Sequence, residues 1–288
     1  GNVVWAGGYG ADVCNQARAT SDGGFILTGE AASNALGVLV VKVDAGGGVQ
    51  WRTTIDDLYD STNGTVPNAT LGEGTDIGMD VVELPDHDFL VVGQTYGAFP
   101  IPKEGQAGHY ALFTAHLHPD GAMAGAPRVH RIINGAGYTV AYGVALRNGT
   151  TPVIVGRYAV DATDLFQNER ILLQQGTAYA VLGGTGNSSV MGGLLGAYAG
   201  GRPIVATADG GVIVAGTSNS FGANEEAWVV KFGRTTFIDF PYLGNVPGDS
   251  YDNEHAVATA GSTSSTAAPI DLSTVTAEVE VTPYYYQV

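Results

Sequence analysis

The sequence predicts an all-β chain built from repeats of one four-stranded unit, and three observations carry that prediction. Glycine supplies 43 of the 288 residues while charged residues make up only 14%, a composition that suits many short strands joined by tight turns. The triplet Asp22-Gly23-Gly24 stands between two apolar runs, and Asp209-Gly210-Gly211 stands between two closely similar ones. Weaker copies of the same hydrophobic rhythm fill the stretch between them, as a repeat architecture requires.

The first unit reads as a strand from Ala17, the Asp-Gly-Gly turn, a strand Phe25 to Gly29, a strand Val38 to Asp44 and a strand Gly48 to Trp51. Glycine supplies the positive φ that a tight β turn demands, so the triplet is a hairpin signal with a mechanism. The late copy repeats it with Ile204 to Ala208, Val212 to Gly216 and Ala227 to Phe232. Between them, Met79 to Leu84, Phe89 to Gly93 and Tyr110 to Leu117 form a second copy, and Gly143 to Arg147, Val153 to Gly156 and Arg170 to Leu173 a third. Each second strand ends in glycine, at Gly29, Gly93, Gly156 and Gly216, which fits a close backbone approach or a sharp bend.

The chain ends read as parts of one more unit. Gly1 to Trp5 aligns with Gly48 to Trp51, so the chain opens on a last strand whose own unit is missing. His255 to Gly261 reads as a first strand, and two further strands fit after Pro269. The expectation is a β-propeller of about five four-stranded blades, a single domain over residues 1–288, with the last blade composite from N- and C-terminal strands. The alternative is that residues 269–288, an alternating segment ending in Tyr284-Tyr285-Tyr286, exchange onto a neighbouring molecule and build a head-to-tail filament.

The series Asp22 to Gly29, Val40 to Asp44, Gly48 to Trp51, Gly216 to Gly222 and Trp228 to Lys231 resembles the propeller repeats of bacterial and archaeal secreted surface proteins. That resemblance implies a propeller fold and an extracellular or cell-surface setting, and no specific chemistry.

Composition excludes some partners. A net charge of −16 with 12 basic residues leaves no footprint for nucleic acid or an anionic membrane surface. No apolar run approaches the roughly 20 residues that span a bilayer. Gly1 in the first position reads as a processed start. Cys14 is the single cysteine, which rules out an internal disulfide, and is expected to be a small buried hydrophobe.

Candidate sites are few. Four sequons, at Asn63, Asn68, Asn148 and Asn187, fall in expected loops and could carry N-linked glycans. The acidic stretches Asp56-Asp57 with Asp60, and Asp249 with Asp252 and Glu254, gather oxygens of the kind Ca2+ prefers, without the spacing of an EF-hand loop. His116 and His118 share a strand face, but no third ligand joins them, and His109 and His130 lie elsewhere. Trp5, Trp51 and Trp228 are expected to pack between adjacent blades. Tyr96 and Phe99, in one of the two long insertions, are the candidate ligand-binding aromatics. There is no Gly-x-Ser-x-Gly elbow and no phosphate loop, so the chain is not expected to be an enzyme. The expected role is an extracellular structural protein that self-associates into a surface assembly or filament; the alternative is a carbohydrate-binding or adhesive propeller, with a glycoside-acting enzyme behind it.

Overall fold

The computed structural model describes residues 4–9, 12–31, 37–56, 76–96, 110–132, 139–159, 169–176, 178–182, 188–189, 203–218, 226–234, 243–245, 248–252 and 257–261. The chain is all-β, in four antiparallel sheets, and no helix occurs among the described residues. The first sheet is built from β1 (Val13–Ala19), β2 (Phe25–Glu30), β3 (Val38–Val43) and β4 (Val49–Asp56). The second holds β5 (Ile77–Glu83), β6 (Phe89–Tyr96), β7 (Tyr110–Leu117) and β8 (Arg128–Ile132). The third holds β9 (Thr139–Arg147), β10 (Thr151–Ala159), β11 (Glu169–Gln175) and β12 (Ala178–Leu182). In the fourth, β15 (Val212–Ser218) pairs with β13 (Ser188–Ser189) and β14 (Ile204–Ala206) along one side and with β16 (Glu226–Phe232) along the other.

One hairpin turn is used five times. At Thr20 to Gly24, Asp44 to Gly48, Leu84 to Asp88, His118 to Ala122 and Thr207 to Gly211, the first residue's amide donates to the fifth residue's carbonyl and the fourth residue's amide donates back to the first. The fourth residue is left-handed each time: Gly23, Gly47, Gly121 and Gly210 lie at φ 82 to 84°, and His87 at 69°. This is the three-residue loop of a type I turn closed by a left-handed residue, which explains why glycine dominates the position.

The glycines expected to end the second strands lie inside them, since β6 runs on to Tyr96 and β10 to Ala159, and they have a steric cause. In the first three sheets the register slips near the start of the first strand, skipping Asn15, Met79 and Tyr142. The bulge swings a carbonyl onto the neighbouring strand. A Cβ at Gly29, Gly93 or Gly156 would lie 1.9, 2.0 and 1.9 Å from the carbonyl oxygens of Val13, Ile77 and Val140.

The sheets pack face to face in chain order. Ile26, Val38, Val40 and Ile55 of the first meet Val81, Phe89, Val91 and Phe113 of the second. The second sheet's other face, with Leu90, Val92 and Leu112, meets Val144, Ile154 and Leu172 of the third. The third then packs Val153, Val155 and Leu173 against Ile204, Val214 and Val230 of the fourth. Both faces of the middle sheets are thus buried, and their strands are continuous apolar runs for that reason.

The C-terminal strands depart from expectation. β17 (Leu243–Asn245) pairs with β12, β18 (Gly248–Asp252) with β8, and β19 (Val257–Gly261) with β4. The segment therefore crosses the third, second and first sheets in reverse order, adding a fifth strand to each free edge. The composite fifth blade is corrected accordingly: Val257–Gly261, read as its first strand, closes the edge of the first sheet, because an outermost strand there would otherwise expose its backbone groups. Residues 269–288 lie outside the described residues.

Candidate functional site

The structure offers two places where chemistry or recognition could be located: the ends of the sheet stack and a cleft between the second and third sheets. The first strands of the first three sheets, β1, β5 and β9, are joined by an ion pair. Arg18 of β1 donates through Nε to Asp80 Oδ1 at 2.9 Å and through Nη2 to Asp80 Oδ2. The same Nη2 reaches the carbonyl of Val144 on β9 at 2.6 Å, and the Val144 amide donates back to Asp80 at 2.9 Å. Three sheets meet at this pair, and Asp80 is 1% exposed. Neither residue stood out in the sequence, because they lie 62 positions apart and only the bulge register brings them together.

Each Asp-Gly-Gly turn is tied to its third strand. Asp22 accepts from the Gly24 amide at 3.0 Å and from Lys42 Nζ at 2.7 Å; Asp209 accepts from the Gly211 amide and from Lys231. These contacts, with the lysine first, hold both carboxyls well below the usual range. Lys42 is buried, with Gln50 Oε1 and the Val43 carbonyl as further acceptors, whereas Lys231 is half exposed.

That contrast marks the end of the stack. Val205, Ile213, Ala215, Val229 and Lys231 share one face of the fourth sheet by register. Val229 is 65% and Val205 52% exposed, while Val40, at the same place in the first sheet, is fully covered. On the opposite end, the first sheet carries Trp5 and Tyr9 over Phe25, Leu27 and Val41.

The cleft has a volume of about 560 Å³ and is lined by Thr114, His116, Arg128, His130 and Gln174, among others. His130 is buried, between Thr114 Oγ1 at 2.9 Å from Nε2 and the Gln174 amide at 2.9 Å from Nδ1. Gln174 Nε2 also donates to the Gly176 carbonyl at 3.1 Å. Partial burial, with Arg128 nearby, lowers the His116 imidazole below its ordinary value against the opposing pull of Asp88 and Asp86.

The remaining candidates are dispersed. Asn148 lies in an exposed left-handed turn, φ 54°, and its side chain bridges to the fourth sheet: Nδ2 donates to the Arg234 carbonyl at 3.3 Å and Oδ1 accepts from Arg234 Nε at 3.2 Å. Asn63, Asn68, Asn187, Asp57, Asp60, Glu254, Phe99 and His109 lie outside the described residues, as does the side chain of Tyr96. Asp56 ends β4, and Asp249 and Asp252 belong to a strand rather than the expected loop, opposite Arg131 and Arg128 in the ladder with β8. Among the described residues no group of three or more His, Cys, Asp or Glu is placed to hold a metal ion. His118 is paired with Asp88 at 3.1 Å. Cys14 is exposed, not buried as expected. Trp51 packs between sheets, as expected, against Phe89.

No family model matches the chain, and no curated protein matches it significantly.

Proposed function

We propose that this chain is a structural subunit of an extracellular assembly, joined head to tail through the two ends of its sheet stack. In this reading the four sheets are consecutive blades of a propeller left open between the fourth and the first. The observation that carries it is the exposure of Val229 on the last sheet at a position buried in the first. An apolar sheet face of this kind, on a chain whose two middle sheets are covered on both faces, is a contact surface. The acidic composition and the resemblance to secreted surface repeats support the extracellular setting, with N-linked glycans on exposed turns as its accompaniment.

A contact between unlike surfaces of identical subunits propagates, into a ring if the rotation closes and into a filament if it does not. Light scattering and negative-stain microscopy of the full chain at rising concentration test this directly. Particles larger than one subunit are expected; a compact monomer at every concentration would overturn the proposal.

A further inference from the structure

The first junction inside the stack is built on one set of contacts, and the two ends of the stack carry the halves of another such set. At the first junction, Trp51 of β4 donates Nε1 to the Pro119 carbonyl at 2.7 Å and packs 5.8 Å from Phe89. Its ring fills the space beside Gly121, where a Cβ would lie 2.7 Å from it. Trp5 repeats this arrangement on the outward face of the first sheet. It donates Nε1 to the Ala45 carbonyl at 3.1 Å, packs 5.9 Å from Phe25, and fills the space beside Gly47, where a Cβ would also lie 2.7 Å away. Ala45 and Gly47 occupy the turn positions of Pro119 and Gly121. Trp5 therefore stands where the fourth strand of a preceding sheet would put its tryptophan. Among the described residues, the last sheet has no strand beyond β16, which pairs with β15 alone.

The volumes at the two ends also match. Inside the stack, Thr28 of the first sheet meets Gly78 of the second so closely that a Cβ on Gly78 would lie 2.1 Å from Thr28 Oγ1. Counted from Gly29 and Gly216, Thr28 and Ala215 hold one repeat position; counted from the partners of Gly29 and Gly93, Cys14 and Gly78 hold another. A larger side chain on the receiving sheet thus comes with a smaller one on the docking sheet. Both Cys14 and Ala215 are exposed, as are Val229 and Val4, the last at 91%, so the single chain does not make this contact itself.

We infer that the outward face of the fourth sheet docks on the outward face of the first sheet of a second copy. Ala215 then lies against Cys14, and the segment around Trp5 runs along the edge of β16 that no described strand occupies. This rests on the assembly reading and names its two surfaces.

The test is Ala215→Cys in the full chain, exposed to a mild oxidant and run on a non-reducing gel. The internal junction brings the equivalent side chains within the roughly 4 Å between Cβ atoms that a disulfide spans. A reductant-sensitive ladder of dimers and higher species is expected, and its loss in Ala215→Cys with Cys14→Ser. A monomer of altered mobility would mean that the chain closes on itself and would overturn the role of a second copy. Filaments without a ladder would overturn the docking surfaces and leave the assembly reading standing; neither filaments nor ladder would end both. Val229→Asp, at an exposed site, supplies an independent measurement: the concentration needed for assembly should rise roughly tenfold or more, as a charge is buried in the contact. An unchanged concentration would contradict the inference.

Discussion

Replacing Asp80 with alanine removes the acceptor at the meeting point of three sheets. The carboxylate receives Arg18 through two nitrogens, the Val144 amide at 2.9 Å and the Val81 amide at 2.8 Å. Without it, the guanidinium is left in a pocket that exposes 15% of its side chain, and the Val144 amide loses its partner. Breaking a buried pair by deleting one member costs about 3–5 kcal/mol, and the partial exposure of Arg18 puts this case near the lower end, about 3 kcal/mol. For a chain of 288 residues that corresponds to a fall of roughly 5 °C in the unfolding midpoint. Asp80→Asn, which keeps the shape and a neutral acceptor, should lose about half as much. Arg18→Met combined with Asp80→Leu should recover much of the loss, because a well-packed apolar pair leaves no stranded charge. Thermal unfolding followed by circular dichroism reads all three. A midpoint for Asp80→Ala within about 2 °C of the wild type would refute the assignment of this pair as the lock between sheets.

Other expectations follow from the repeat. Gly29→Ala and Gly93→Ala each place a Cβ about 2 Å from a main-chain oxygen that no rotamer can move, and should each lower stability by about 2–3 kcal/mol in denaturant titration. Gly23→Ala, strained by its positive φ but with open space around it, should cost about 1 kcal/mol. Trp51→Ala, losing the Phe89 contact and the Pro119 hydrogen bond, should cost about 3 kcal/mol in the same measurement. Because Asp22 has a folded-state pKa below its ordinary value of 3.8, its contribution is present above that value and is lost as pH falls through the lowered one. A carboxyl NMR titration should show that depression in the wild type and a return toward the ordinary value in Lys42→Met.

What could be read from the sequence was what is decided locally. The Asp22-Gly23-Gly24 turn and its copies are set by the φ of one residue, and the second-strand glycines by one carbonyl, so both leave a mark at a fixed position. His87 shows the limit, since it takes the left-handed place without being glycine. The strand Gly248–Asp252 was unreadable because its acidic, glycine-bearing letters have no strand pattern of their own; the free edge of β8 makes it a strand. Arg18 and Asp80 were silent for a different reason: their meeting depends on the packing of two sheets, which no local spacing encodes. The match of Trp5 to Trp51 was legible, and the structure adds the turn on which each ring rests.

The C-terminal strands have a mechanical consequence. The segment attaches to the first, second and third sheets through separate short ladders of five, five and three residues, counted back from Gly261. Tension applied beyond Gly261 loads the ladder with β4 first, from its Gly261–Arg52 end, and reaches the ladder with β8 only after that one has opened. The load is released in successive small steps before it falls on the buried faces between the sheets.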